Sequence, residues 1–177
     1  MKFLSNWLDR LRLRSRRRVV ILDDFFPNLL TGFRVAEYND LMAEFRGLRI
    51  LSNYGDFDRC HAEYAALYPG FASRIERFDA GARALVEADL VYLNFLNNAI
   101  TFLDVIESHQ KPFVLTLYPG GGFGLHEEES DRKLDRILAS PCLRGIITTQ
   151  PVTREYIRNR CHPCIRQVLI PGVVVNA

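Results

Sequence analysis

Residues 113–117 read Phe-Val-Leu-Thr-Leu, and residues 118–124 continue as Tyr-Pro-Gly-Gly-Gly-Phe-Gly. The first run is mainly apolar without alternation, which is typical of a parallel strand covered by helices on both faces. The second run has glycine at four of the five positions 120–124. Ligands of parallel α/β sheets bind at the carboxyl ends of the strands. This stretch therefore predicts a parallel α/β sheet and a ligand-binding loop at the carboxyl end of one of its strands.

Other short apolar runs recur on both sides of this strand and are too brief to be helices. They are Val19–Leu22, Leu48–Leu51, Ile75–Phe78, Leu90–Leu93, Ile146–Thr148 and Val168–Ile170. Helical patterns lie between them at Arg34–Phe45, Asn97–His109, Glu127–Leu138 and Val152–Arg160. Residues 54–73 are irregular and rich in tyrosine, and we expect a short helix and a surface loop there. The alternation predicts a three-layer α/β/α Rossmann-like domain over residues 19–177, with a mostly parallel sheet of about six or seven strands.

Composition and charge restrict the class of protein. The chain has 177 residues, is 48% apolar and contains no apolar run near the length of a membrane span, which favours one soluble globular domain. The first 18 residues carry seven Lys/Arg and one Asp, a net charge of +6, so the other 16 basic and 20 acidic residues give −4. This distribution disfavours nucleic-acid binding, which usually spreads basic residues over the folded domain. Four cysteines without a secretory signal predict a cytoplasmic protein.

The basic segment 1–18 is also amphipathic. At helical spacing one face of it is apolar, and that face consists of Phe3, Leu4, Trp7, Leu8 and Leu11. A short basic helix of this kind lies on anionic membranes. The same apolar face could instead pack on the folded body, and the sequence leaves both interpretations open.

The loop after the first strand is a candidate phosphate site. Thr31-Gly32 stands where a helix begins, so free backbone N–H groups and the positive end of the helix dipole could receive an anion. Arg34 could add guanidinium donors. Alternatively, Gly32 only permits a tight turn and Arg34 is a solvated residue of the first helical turn.

The loop 118–127 is a second candidate, because its glycines leave room for a ligand to approach the backbone. Its spacing matches neither a dinucleotide fingerprint nor a phosphate-binding P-loop, and a loop without function is the alternative. Asn94 ends the preceding strand, and Asn97 or Asn98 is expected to cap the following helix. His126 is the histidine beside this loop.

Cys161-His162-Pro163-Cys164 is a single Cys-x-x-Cys without a second pair to complete a tetrahedral site. We therefore expect neither a metal nor a redox centre.

Taken in order, these segments resemble the N-terminal, acceptor-side domain of GT-B glycosyltransferases of the group 1 / family 4 type. The resemblance covers residues 17–175 and rests on five segments. They are Val19–Leu22, Pro27 with Thr31-Gly32, Pro112–Gly120, Gly145–Gln150 and Val168–Val173. The family often has histidine where Tyr118 and Asn94 stand here, and more often two glycines where this chain has Thr31-Gly32.

The resemblance implies the acceptor-binding half of an enzyme that transfers a sugar from a nucleotide sugar to a glycan or lipid-linked acceptor, as in polysaccharide biosynthesis. It implies no cofactor and no metal. A donor-binding domain, in cis or on a partner chain, would be missing from these residues, and the chain alone is then expected to be inactive. The rival hypothesis is a non-catalytic nucleotide- or sugar-binding module.

The resemblance also assigns roles to residues. Donor phosphate would contact Thr31, Gly32 and Arg34, and the candidate bases are Asp24 and His126. The acceptor would contact Asn94, Tyr118, Gly120, Gly121 and Gly122. A peripheral position on the inner face of the membrane would suit a lipid-linked acceptor.

Overall fold

The computed structural model describes residues 18–171. Its strands are β1 Val19–Asp23, β2 Arg49–Ser52, β3 Ile75–Arg77, β4 Leu90–Asn94, β5 Phe113–Leu117, β6 Leu143–Thr148 and β7 Arg166–Leu169. Its helices are α1 Gly32–Glu44, α2 Phe57–Leu67, α3 Pro69–Ala72, α4 Arg83–Val86, α5 Leu96–Ser108, α6 Glu128–Leu138 and α7 Pro151–Arg158. A short 3-10 turn, Leu29–Thr31, precedes α1.

The strands form one seven-stranded parallel sheet in the order β3-β2-β1-β4-β5-β6-β7, flanked by helices. The predicted α/β Rossmann-like class and the predicted number of strands are confirmed. Within the described part of the chain, no helix is both long and apolar enough to cross a bilayer. The fold comprises two compact units, which meet in sequence between Asp89 and Leu90.

In the first unit, β1 is buried along its whole length. Four of its five residues are apolar, as expected for a parallel strand covered by helices. Its register with β2 pairs Asp23 with Ser52, and Ser52 pairs in turn with Arg77 of β3. The carboxyl ends of these strands therefore lie at one edge of the sheet. At the other end of β1, the Arg18 backbone N–H donates to Asp89 at 2.9 Å, and the Arg18 guanidinium lies 2.9 Å from Glu87.

In the second unit, β4 and β5 are also buried at every position. Asn94 pairs with Thr116, and Leu117 pairs with Thr148 of β6. The predicted helix 152–160 begins at Pro151, whose missing N–H and fixed φ suit the first helical turn.

Residues 54–73 are more regular than predicted, because they form α2 and α3 instead of one short helix and a loop. Phe57, Cys60 and Tyr64 of α2 are buried, and their spacing of three and four residues makes one helical face. The pattern was hard to recognise in the sequence because two of the three buried residues are a cysteine and a tyrosine.

Candidate functional site

The carboxyl end of β1 holds a buried carboxylate. Asp23 is fully buried, and its Oδ1 accepts hydrogen bonds from the backbone N–H groups of Phe25 at 2.8 Å and Phe26 at 2.7 Å. Arg34 Nη1 lies 2.6 Å from the same oxygen, and the Tyr38 hydroxyl donates to Oδ2 at 2.6 Å. Four donors therefore compensate the desolvation of this charge. The network fixes the start of the loop after β1.

Asp24, one of the two predicted bases, lies beside this network and is more accessible. Its side chain is 33% exposed, and Arg34 Nη1 lies 3.5 Å from its Oδ1. Burial raises the pKa of Asp24 and the charge of Asp23 raises it further, while Arg34 opposes both effects. A carboxylate with a raised pKa is a stronger proton acceptor than an ordinary one.

Arg34, predicted to bind donor phosphate, has its guanidinium turned onto Asp23, and its side chain is only 11% exposed. Thr31 and Gly32 stand where the sequence placed them, at the N-terminus of α1. The Thr31 hydroxyl donates to the Asn28 carbonyl at 2.6 Å, and Gly32 is exposed. Their contact with a phosphate remains a prediction.

Asn28 holds this loop in shape. Its side-chain oxygen accepts from the Leu30 N–H at 2.9 Å, and its amide donates to the Tyr54 hydroxyl at 3.0 Å. Phe25 packs edge-on against the Tyr54 ring with centroids 4.9 Å apart. These contacts fix the part of the loop that directly follows Asp24.

The second unit carries the glycine loop after β5. Gly120, Gly121 and Gly122 all have positive φ, at 79°, 56° and 89°. The Gly121 carbonyl accepts from the Asn97 N–H at 2.9 Å, which ties the loop to the first turn of α5. A Cβ on Gly121 would lie 2.3 Å from the Phe95 ring, and a Cβ on Gly122 would lie 2.0 Å from Asn97 Oδ1. The loop needs glycine because it lies directly on the start of this helix.

The residues that connect β4 to α5 differ from expectation. Asn97 or Asn98 was predicted to cap the helix, but both lie inside it, and the N-cap residue is Phe95, which makes no side-chain capping hydrogen bond. The helix can start without a side-chain cap because the Gly121 carbonyl takes the Asn97 N–H. Asn94, a predicted acceptor contact, is fully buried as the last residue of β4.

Tyr118 and His126 lie near the two ends of the loop 118–127. The half-buried Tyr118 ring lies against Phe95, with centroids 5.2 Å apart. His126 is exposed and has a positive φ of 59°. Its backbone N–H donates to the Tyr156 hydroxyl at 3.1 Å, and its ring meets the Tyr156 ring edge-on. The structure thus brings Tyr118 and the three glycines together, with His126 at the far end of the same loop.

Tyr156 anchors this far end to two helices and was missed by the sequence analysis. Its hydroxyl donates to Asp131 Oδ1 at 2.5 Å, and the Arg160 guanidinium lies 2.8 Å from Asp131 Oδ2. Arg160 also lies over the Tyr156 ring, 4.7 Å from its centroid. The hydrogen bond from Tyr156, together with Arg160, lowers the pKa of Asp131. The sequence does not link Asp131 to the other two residues, because Asp131 lies on α6 whereas Tyr156 lies on α7 and Arg160 directly after it.

In the Cys-His-Pro-Cys segment, a His162 ring nitrogen lies 2.9 Å from the Cys164 sulfur. Among residues 18–171, no group of three or more His, Cys, Asp or Glu side chains is placed to hold a metal ion.

Comparison of the chain with family models, with curated proteins and with solved structures gives no match in any of the three. The fold and the two groups of residues described above are therefore the basis for a functional proposal.

Proposed function

We propose that this chain is the acceptor-binding half of a glycosyltransferase that uses a nucleotide sugar and acts on a glycan or lipid-linked acceptor. The observation that carries the proposal is the loop of three positive-φ glycines at the carboxyl end of β5, which packs on the start of α5 and on the ring of Phe95. Such loops at strand ends hold ligands in Rossmann-like folds. The resemblance of the strand and loop segments supplies the reaction class.

In the proposed reaction a base removes the proton of an acceptor hydroxyl. The hydroxyl oxygen then bonds to the anomeric carbon, and the bond from that carbon to the diphosphate oxygen breaks. The electron pair of the broken bond leaves with the nucleoside diphosphate. Asp24 is the base we favour, because burial and Asp23 raise its pKa and the loop fixes its position. Thr31 and Gly32 at the start of α1 would stabilise the leaving phosphate.

The test is sugar transfer in membranes that hold the natural acceptor. Membranes from cells with the gene deleted are incubated with radiolabelled UDP-glucose, UDP-N-acetylglucosamine or GDP-mannose, and label in the lipid and glycan fractions is counted. We expect one donor to lose incorporation on deletion. Wild-type protein should restore it when soluble extract of the deletion strain supplies the donor-binding partner, and Asp24→Asn under the same conditions should not.

Asp40→Asn is the matched control, because Asp40 is an exposed aspartate on α1. It should restore incorporation as well as the wild type does. Equal incorporation with and without the gene contradicts a transferase, and binding of a nucleotide sugar in that case indicates the non-catalytic module instead.

The contact of the basic segment with membranes is a separate proposal. Residues 1–17 lie outside the described residues, and Arg18 is paired with Glu87 on the folded body. Basic residues near an anionic leaflet contribute about 1 kcal/mol each. We expect the protein to sediment with phosphatidylserine liposomes at low salt, and to stay in the supernatant at high salt or without residues 1–17. Equal sedimentation with and without those residues rejects the anchor.

A further inference from the structure

Phe95, the single residue between β4 and α5, has an unusual backbone conformation. Its φ of 67° and ψ of 148° lie in a region that is essentially restricted to glycine. Residues with side chains adopt this conformation at a cost in free energy and keep it only where their surroundings impose it. Such residues concentrate at functional sites, which makes Phe95 a candidate for ligand contact.

The surroundings of Phe95 fix both its backbone and its ring. Its N–H donates to the Thr116 carbonyl at 3.0 Å, and its carbonyl accepts from the Ala99 N–H at 3.0 Å. The ring lies on Gly121, where a Cβ would come within 2.3 Å of it. The Tyr118 ring lies at a centroid distance of 5.2 Å and is inclined by 40°. Both rings are only half buried.

Polar groups border this aromatic pair. The exposed Asn97 amide lies against Gly122, and its oxygen accepts a hydrogen bond from Lys133 Nζ at 3.0 Å. The Lys133 ammonium also lies 2.6 Å from a Glu129 oxygen. Small-ligand sites are lined mainly by apolar and aromatic side chains, with a few polar groups that fix the orientation of the ligand.

We propose that Phe95 and Tyr118 form a platform for a sugar ring of the acceptor, with the Asn97 amide bonding one of its hydroxyls. A pyranose has an apolar C–H side and a rim of hydroxyls, which matches inclined aromatic rings with a polar border. The ligand class rests on the proposed function above, whereas the platform rests on the geometry alone.

The experiment is saturation-transfer NMR on the full chain with cellobiose and maltose as probes. Irradiation of aromatic protons should saturate the protons on one face of a pyranose more than those on the other. Phe95→Gly is the informative variant, because glycine accepts the backbone conformation of Phe95 and the fold should survive. It should reduce disaccharide affinity about five- to tenfold, the loss expected for one stacking contact.

Two controls make this result specific. Phe95→Tyr keeps an aromatic ring and should bind within about twofold of the wild type. Phe71→Leu removes a half-buried aromatic from α3 of the other unit and should change nothing. Circular dichroism verifies that each variant is folded.

The platform is overturned if both disaccharides fail to receive saturation, or if Phe95→Gly binds them as well as the wild type. It is also overturned if uridine monophosphate receives saturation on its base protons and competes with the sugars. These results are independent of the membrane assay. If label transfer depends on Asp24 but the disaccharides receive no saturation, the platform is refuted and the transferase is not. If the disaccharides receive saturation but no label is transferred, only the transferase is refuted.

Discussion

Replacing Asp23 with asparagine should destabilise the protein far more than the loss of a surface charge. The variant keeps the size of the side chain but removes the negative charge that Arg34 faces at 2.6 Å. Arg34 is buried, so its charge would remain buried, with an Asp24 oxygen 3.5 Å from its guanidinium. Breaking a buried ion pair from one side costs about 3–5 kcal/mol.

This cost converts directly into a measurable shift. The free energy of unfolding falls by about 2 kcal/mol per molar urea, so the urea concentration at half unfolding should fall by roughly 1.5–2.5 M. The assay is urea unfolding followed by circular dichroism. Removing both charges in Asp23→Asn/Arg34→Met should recover part of the loss, because the buried cation is then gone.

Glu76→Gln provides the comparison. Glu76 lies 3.3 Å from Arg49, and both side chains are about half exposed, at 47% and 46%. Loss of this exposed ion pair should leave the midpoint of urea unfolding unchanged within error. If Asp23→Asn shifted the midpoint by no more than Glu76→Gln does, the argument that Asp23 holds the loop through a buried charge would be wrong.

Two further predictions concern the second unit. Gly121→Ala should destabilise the protein more than Gly120→Ala, since both have positive φ but only a Cβ at Gly121 meets the Phe95 ring; thermal unfolding of the two variants measures the difference, and equal losses would contradict the contact. Glu107 should titrate at about 2, because a hydrogen bond from Arg136 lowers its pKa. Its contribution to stability is then complete above the ordinary glutamate pKa and is lost as the pH falls toward 2. Arg136→Met should flatten the dependence of the urea midpoint on pH between pH 5 and pH 2, and an unchanged slope would refute the pairing.

Most of the fold could be predicted from the sequence because apolar runs mark buried parallel strands directly. The bounds of β5 match the prediction, and α6 differs by one residue. The region of α2 could not be predicted as well, because its buried face includes a tyrosine and a cysteine among polar neighbours. Periodicity identifies a helix only when the apolar residues stand out from the rest.

That the candidate residues follow strand ends could be predicted from the sequence, but the contacts of their side chains could not. The sequence presents Asp23 and Asp24 as equivalent neighbours, yet burial and four donors make Asp23 a structural residue and leave Asp24 accessible. Phe95 gave no signal, because positive φ is inferred from glycine or asparagine and never from phenylalanine. Its conformation follows from the Gly121 contact, which depends on how the chain folds.

The parallel registers have a consequence for how this chain folds. Val91 pairs with Phe113 and Leu115 pairs with Ile146, so each pairing joins strands that a helix separates in the sequence. Parallel neighbours cannot be joined by a two-residue hairpin, and no tight turn can therefore nucleate these pairs. The chain must close long loops before its strands meet, which slows folding. During synthesis, each apolar strand stays unpaired until the next strand emerges, and in that interval the chain is most exposed to aggregation.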